Sequence, residues 1–502
     1  MIVMKWHEIV KEAAKLAELQ ENLRQVTEVS GSSLHLTDDQ LFFLAQEGGE
    51  RFLVLVSSGD SGDPFVGETL NLGSFRVKTA ALTGENAKHL RSVLPWTGPQ
   101  ALGTQGISLG LGDRLGLASP GHLKAISGTE VRPILAQQSM RELELTNRTY
   151  GDVLDAATWA VFQAGFQAGY GADGDHLKKV EDIQMALDLG FSMITLDCSE
   201  HIDDGVSKLE DNEVEREYQK LPGVKRNEFE ALYREQSYDL PGGITITMEP
   251  DHYQRMVLTY HQALDFMERV YGEVIAQVDR PIDFEISIDE VATPTTPQDH
   301  FFVAHELKRR GIKVCSVAPR FCGHFEKGID YIGDLEQFEA EFAVHASLAE
   351  HFGYKLSIHS GSDKFSVFPL IGKYAQKTGY HVKTAGTNWL EAVRVIAHEA
   401  PGLYRALHEK ALESLDAARK YYHVSMDLAK VPDLSTLEDG DLPALLNQDD
   451  ARQLLHITYG FMLRDPELKE EIYQVLHDHA DRYEEFLITH IQRHLRSLGI
   501  EQ

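Results

Sequence analysis

Long apolar runs are missing from the 502 residues. No stretch approaches the roughly 20 consecutive apolar residues of a helix that crosses a bilayer, so no membrane span is expected. Cysteine is scarce: Cys198, Cys315 and Cys322 are the whole complement. An odd, sparse count argues against a disulfide framework and for a reducing compartment. Cys315 and Cys322 lack the CxxC spacing of a zinc or redox site, and all three read as structural thiols. Basic residues are outnumbered, 48 Lys and Arg against 78 Asp and Glu, for a net charge of −30. Nucleic acid and anionic membranes are polyanions, so that charge disfavours them and neither is expected as a partner. A small anionic substrate is not, because a local basic pocket overrides the global field. Phosphate-cradling motifs are also absent. GLGDRLG (110–116) lacks the GxGxxG spacing, no Walker sequence is present, and the His-Glu pairs of AHELKR and AHEAP are not HExxH. The first 25 residues read as one amphipathic polar helix without the apolar region of a signal peptide. The expected location is the cytoplasm.

What is present is an ordinary globular composition, 42% hydrophobic and 25% charged, in a chain long enough for two or three domains. Residues 1–104 mix a helix with short β-like runs, RFLVLVSS (51–58) and SFRVKTAAL (74–82), separated by the turn cluster GDSGDPFVG. They read as an α+β extension. Residues 105–402 change character. Eight short apolar segments recur, at 107–122, 132–139, 166–176, 191–199, 282–290, 313–320, 355–364 and 380–388, each running into a Gly/Ser/Asp/His-rich loop. Helical stretches lie between several of them, such as QDHFFVAHELKRRG with its cationic last turn and glycine stop. Strand–helix alternation implies a parallel sheet, and a count of eight matches a (β/α)8 TIM-type barrel, with an open doubly wound sheet as the alternative. Residues 201–280 form a charged, helical insertion between the fourth and fifth strands. Residues 403–502 read as helical with no further strand.

In a barrel the loops after the C-terminal ends of the strands build the active site. Three histidines, His176, His324 and His359, follow three different strands, so the barrel mouth gathers them. Neutral imidazoles suit a borderline divalent cation such as zinc, manganese or cobalt, and three protein ligands leave a position for substrate. Glu290, His122 and His381 compete as ligands. IDFEISIDE places Glu285, Ser287 and Asp289 on one strand face and Glu290 on the other at the strand exit. Buried acids need a partner, which for Glu285 is a salt bridge to Arg320 or Lys383 if not a functional role. Glu290 at the mouth and Asp175 beside His176 are the acid/base candidates. Arg114, Arg320 and Lys364 are candidates to hold an anionic substrate group, since guanidinium matches carboxylate in bidentate fashion. Gln138 and Asn388, at two further strand ends, complete the candidate substrate contacts.

GLGDRLGLASPGH, GYGADGDHLKK, EISIDEVATPT and SIHSGSDKFSVFP, in this order over about 260 residues, resemble the tagaturonate/fructuronate epimerase family. The resemblance covers most of the chain, less firmly the first 100 residues and the 201–280 insertion. It implies a divalent-metal-dependent barrel, an isomerase of bacterial hexuronate catabolism that interconverts D-tagaturonate and D-fructuronate. A small sugar acid is the expected partner, and a homo-oligomer is compatible with it. The two sugars differ at a hydroxyl carbon β to the ketone, where simple enolisation does not reach. Retro-aldol cleavage with re-addition to the other face, or transient oxidation by a nicotinamide, remains, and the missing dinucleotide fingerprint favours the former. The competing reading is a metal-dependent aldolase or isomerase of a phosphorylated sugar, because SGSDK and AGTN follow the last two strands, where barrels often hold phosphate.

Overall fold

The structure is a computed structural model that describes residues 5–59, 62–249 and 252–501. Asp60 and Ser61 of the turn cluster, and the first four residues, lie outside them. The first five strands, β1 (His35–Leu36), β2 (Gln40–Glu47), β3 (Glu50–Ser57), β4 (Glu68–Leu72) and β5 (Phe75–Ala81), form an antiparallel sheet in the order β1-β2-β3-β5-β4. β2 and β3 are near-continuous apolar runs because both sheet faces are covered. Leu41, Phe43, Val54 and Val56 face the N-terminal helices, while Phe42, Leu44, Leu53 and Leu55 pack towards Trp159 and Phe162 of a barrel helix. The expected single N-terminal helix is two, Trp6–Glu12 and Leu16–Leu23. Ala13 and Lys15 are extended, and that break lets Trp6, Val10, Leu16, Leu19 and Leu23 all reach one sheet face.

Eight parallel strands then close a (β/α)8 barrel: β6 (Ser108–Gly110), β7 (Arg132–Gln138), β8 (Gly171–Leu177), β9 (Met193–Asp197), β12 (Asp283–Ile288), β13 (Ser316–Pro319), β14 (Lys355–Ile358) and β15 (Tyr380–Lys383). The ring closes where β15 pairs with β6 and β9 with β12. All eight apolar segments of the sequence are its strands. The segment between β9 and β12 is not purely helical. It holds a hairpin of β10 (Ser237–Leu240) and β11 (Ile244–Thr247) around Pro241-Gly242-Gly243, where Gly242 and Gly243 take positive φ. The alternation of Ile244-Thr245-Ile246-Thr247 after a Pro-Gly-Gly turn was the available signal. Helices of residues 388–498 build a second core with Leu115, Ala118 and Leu145 of the barrel's first two loops. This layer lies over one side of the barrel mouth.

Candidate active site

Strand alternation turns polar side chains of β8, β9, β12 and β15 into the barrel. Lys383 is their hub. Its Nζ lies 3.0 Å from Asp173 Oδ2, 2.5 Å from Asp175 Oδ1, 3.0 Å from Glu285 Oε1 and 2.8 Å from Thr195 Oγ1. All of these groups are buried. One ammonium against three carboxylates splits their titration. Burial, with Asp175 and Glu285 alongside, pushes Asp173 up. Burial would raise Asp175 and Glu285 too, but Lys383 and the neighbouring histidines hold both below the usual carboxylate range. Lys383 itself stays cationic, because its three carboxylates outweigh burial.

Above this layer stand His176 and His359, ring centroids 4.7 Å apart and edge to face. The β8–β9 pairing shifts register between Gly174 and Leu177, and His176 takes φ +53° there. A bulge with a left-handed non-glycine residue re-aims a side chain at a cost in backbone strain, which a functional position explains. His359 follows directly on β14, and the next residue, Ser360, is also left-handed at φ +49°. Burial disfavours a charged ring at either place, yet Asp175 and Asp197 push His176 up to about 10, and Asp289 raises His359.

The donors fit a divalent cation. Ligand atoms of His176, Asp289 and His359 lie within 4.8 Å of one another, as do those of His176, Asp197 and Glu290. Each ring has a carboxylate against one nitrogen: Asp197 Oδ2 is 3.3 Å from His176 Nδ1, and Glu285 Oε1 is 2.8 Å from His359 Nε2. A metal-binding imidazole characteristically hands its second nitrogen to such a carboxylate, which fixes tautomer and orientation. His359 Nδ1 faces Asp289 Oδ1 at 3.1 Å, and Ser287 Oγ donates to that oxygen at 2.6 Å. The excess of carboxylates over cations at this end suits a dication electrostatically.

The other end of the cavity is cationic. Arg114, Arg141 and Lys327 line it with Tyr422, His456 and Tyr459 from the C-terminal helical layer. The surrounding empty volume is about 800 Å³.

The residues expected from sequence divide accordingly. Asp175, Glu290, His176 and His359 share this cavity, and Glu290 is exposed at its rim. His324 does not join the two histidines. The loop after β13 carries it to an exposed position where its backbone bridges Ile332. It lines the adjoining cavity with Arg320, and His359, Asp289 and Glu290 line that cavity too; the third donor grouped with His176 and His359 is Asp289. Arg114 lines the cavity but is committed, to Glu142 through Nη2 and to the Gln137 carbonyl at 3.1 Å through Nη1. Gln137 and Ser139 line the cavity, whereas Gln138, between them, does not, as strand alternation requires. Lys364 is corrected outright. It is buried, and its amine donates to the carbonyls of Glu326, Ile329 and Ser362 at 2.8, 2.5 and 2.9 Å. It staples two loops together and has no proton left for a substrate. Asn388 is likewise buried, donating to Gly112 and Ala385 carbonyls. Gly361 answers to packing, since a Cβ there would meet Val382 Cγ1 at 2.5 Å.

Sequence reasoning passed over Arg141 and Lys327 as site residues, and weighed Asp289 only as an acid at the fifth strand's exit, not as a donor grouped with His176 and His359. Arg141 did carry a signal: it lies in the first turn of the helix Met140–Thr146, where the helix dipole disfavours a cation.

A family profile described as tagaturonate epimerase matches residues 31–498. A tagaturonate/fructuronate epimerase of Thermotoga maritima is 40% identical over 479 residues, 93% of this chain and 96% of that one. The native crystal structure of the fructuronate-tagaturonate epimerase of Cohnella laeviribosi superposes with a TM-score of 0.92 at 47% identity, covering 97% of this chain and all 100% of that chain. A crystal structure of the same Cohnella enzyme with one glycerol matches with a TM-score of 0.92 at 47% identity, covering 97% and 99%.

Proposed function

The chain belongs to the tagaturonate epimerase family, and from that premise we propose how its site inverts one carbon of a hexuronate. It is an epimerase that interconverts D-tagaturonate and D-fructuronate. Counting the ketone as C2, the inverted carbon is C4, one carbon too far for enolisation. The reading is therefore retro-aldol. Asp175 takes the proton of the C4 hydroxyl. The C3–C4 bond breaks, its electron pair passes to the C2 carbonyl as an enediolate, and C4 becomes an aldehyde. The aldehyde turns its other face, the C3–C4 bond re-forms, and Glu290 protonates the new C4 oxygen.

The carrying observation is the placement of Asp175. It shares the cavity with both histidines while Lys383, 2.5 Å away, keeps it ionised and able to accept a proton. Glu290, exposed at the rim, exchanges its proton with water, so the two acids reset after each turnover. Lys383 remains an ammonium, which argues against a Schiff-base route through this lysine. His176, His359 and Asp289 are the residues that would hold a divalent cation, with Asp197, Glu285 and Ser287 orienting them. An imidazole–carboxylate set suits zinc, manganese or cobalt. Such a cation supplies Lewis-acid stabilisation of the negative charge that develops on the ketone oxygen. The substrate is a small sugar acid.

The test is turnover of D-tagaturonate in deuterated water. Epimerised product without deuterium at the inverted carbon is expected, with no dependence on added NAD and no adduct on borohydride treatment. Deuterium at that carbon overturns carbon–carbon cleavage in favour of direct deprotonation. Turnover of phosphorylated ketoses in place of uronates overturns the substrate class.

A further inference from the structure

We propose that Arg141 and Lys327 are the carboxylate-binding residues of this site, which select a sugar acid over the neutral sugar and retain the aldehyde fragment during the reaction. The inference rests on the retro-aldol reading and adds the residues that decide its specificity.

The protein carries a net charge of −30, yet two cations at one end of the cavity have no carboxylate at ion-pair distance among the described residues. Arg114, beside them, is paired with Glu142. Arg141 and Lys327 are not paired, and both line the cavity that holds His176, His359 and Asp289. Arg141 is placed against its own helix dipole. Its guanidinium lies over the Tyr422 ring, 4.9 Å from the centroid, and its Nε is buried without a hydrogen-bond partner. A buried, unpaired guanidinium donor costs free energy unless a ligand completes it. Lys327 donates to Ser360 Oγ at 2.9 Å, the residue next to His359, and has further protons to give. Burial, together with Arg141 and Arg114, pulls its amine below the usual lysine range, so an entering anion relieves both cations.

The cavity is thus bipolar, with imidazoles and most of its carboxylates on one side and, on the other, two cations that Glu142 and Glu290 influence without reaching ion-pair distance. A hexuronate is bipolar in the same sense: its ketone end calls for Lewis-acid help and its far end is an anion. When C3–C4 breaks, the carboxylate leaves on the C4–C6 aldehyde. A carboxylate held by Arg141 and Lys327 keeps that fragment in place while it presents its other face.

The experiment compares the uronates with the neutral ketohexoses in which CH2OH replaces the carboxylate, using the metal-loaded full-length enzyme. In Arg141→Met and Lys327→Met the ratio of kcat/KM for uronate to that for ketohexose should fall by about 10- to 100-fold, the worth of a hydrogen bond to a charged group. Arg141→Lys, which keeps the charge, should retain part of the ratio. Inhibition by D-glycerate, an analogue of the aldehyde fragment, gives a second reading against neutral glycerol. The wild type should prefer D-glycerate and the methionine variants should lose the preference. Equal losses on both substrates, or an undiminished preference for D-glycerate, overturn the assignment. A wild type that turns over no uronate overturns the proposed function instead.

Discussion

Two Asp–His groups in this molecule look alike on paper and differ in what their nitrogens touch. At the barrel mouth are His176, His359 and Asp289. Where the last helix, Ala480–Ser497, meets the loop after β14 are His490, His494 and Asp363. Both groups bring three ligand atoms within 4.8 Å. At the mouth, carboxylates stand against the rings and raise them. At the junction the ring nitrogens are already in use. Asp363 N–H donates to His494 Nε2 at 3.0 Å, His494 Nδ1 donates to the His490 carbonyl at 2.9 Å, and His490 Nε2 is 2.8 Å from Thr387 Oγ1. Arg452 occupies Asp363 from the other side. Burial therefore prevails and lowers both rings to about 4. Proximity of donors is common to both. Rings whose nitrogens face carboxylates in excess mark a cation site, whereas rings held by backbone groups and a hydroxyl make a clasp that docks the C-terminal helix on the barrel.

Substitution breaks or sharpens this contrast. The largest effect is expected from His176→Ala, His359→Ala or Asp289→Ala: loss of bound metal by elemental analysis, with kcat/KM down by about 10³-fold or more. His490→Gln and His494→Gln should keep their metal; a junction variant that loses it would collapse the distinction. Next is Asp363→Asn or Arg452→Ala, which strands one member of a buried pair. Chemical denaturation should show a loss of about 3–5 kcal/mol with metal content unchanged.

The acid response comes third. His490 and His494 are held near 4 in the fold against about 6.5 unfolded. Between those values the unfolded chain binds more protons, so stability falls as pH drops from about 6.5 towards 4, by at most on the order of 3 kcal/mol for each ring. Asp363 and Glu391 face His490 as acids and Arg452 and Arg394 as cations, and Asp363 and Arg493 do the same for His494. His490→Gln, whose amide can still meet Thr387, should flatten the melting temperature across that window. Smallest are Asp197→Asn and Glu285→Gln, which remove the carboxylates set against the histidine rings, Glu285 being also a partner of Lys383. Metal titration should find affinity weakened about 10- to 100-fold.

The contrast also explains which parts of the site were legible beforehand. His176 and His359 could be found because each ends an apolar segment, and barrel topology sends every strand end to the same mouth. His324 was assigned by the same rule and lines the adjoining cavity outside the close donor group, because it lies five residues beyond the end of β13, where loop geometry rather than strand geometry places it. Lys364 looked like a substrate cation in a loop rich in serine and glycine, but its three carbonyl partners come from residues 326, 329 and 362. Two of them are more than 30 positions away. Nothing local foretells such a contact.

The sequence by itself determined the barrel. Eight apolar segments with polar exits repeat a local pattern, and local patterns of burial and turn chemistry are what a linear chain can carry. It also determined the chemistry on offer at the mouth, because residue type at a strand end is local too. Only the tertiary structure decided the division of labour: Asp289 rather than His324 beside the two histidines, Lys383 as the hub of three carboxylates, and Arg141, against the Tyr422 ring, and Lys327 left without an ion pair among the described residues. Whether a charge is free or satisfied depends on partners far apart in the chain, and those partners meet only when the chain has folded.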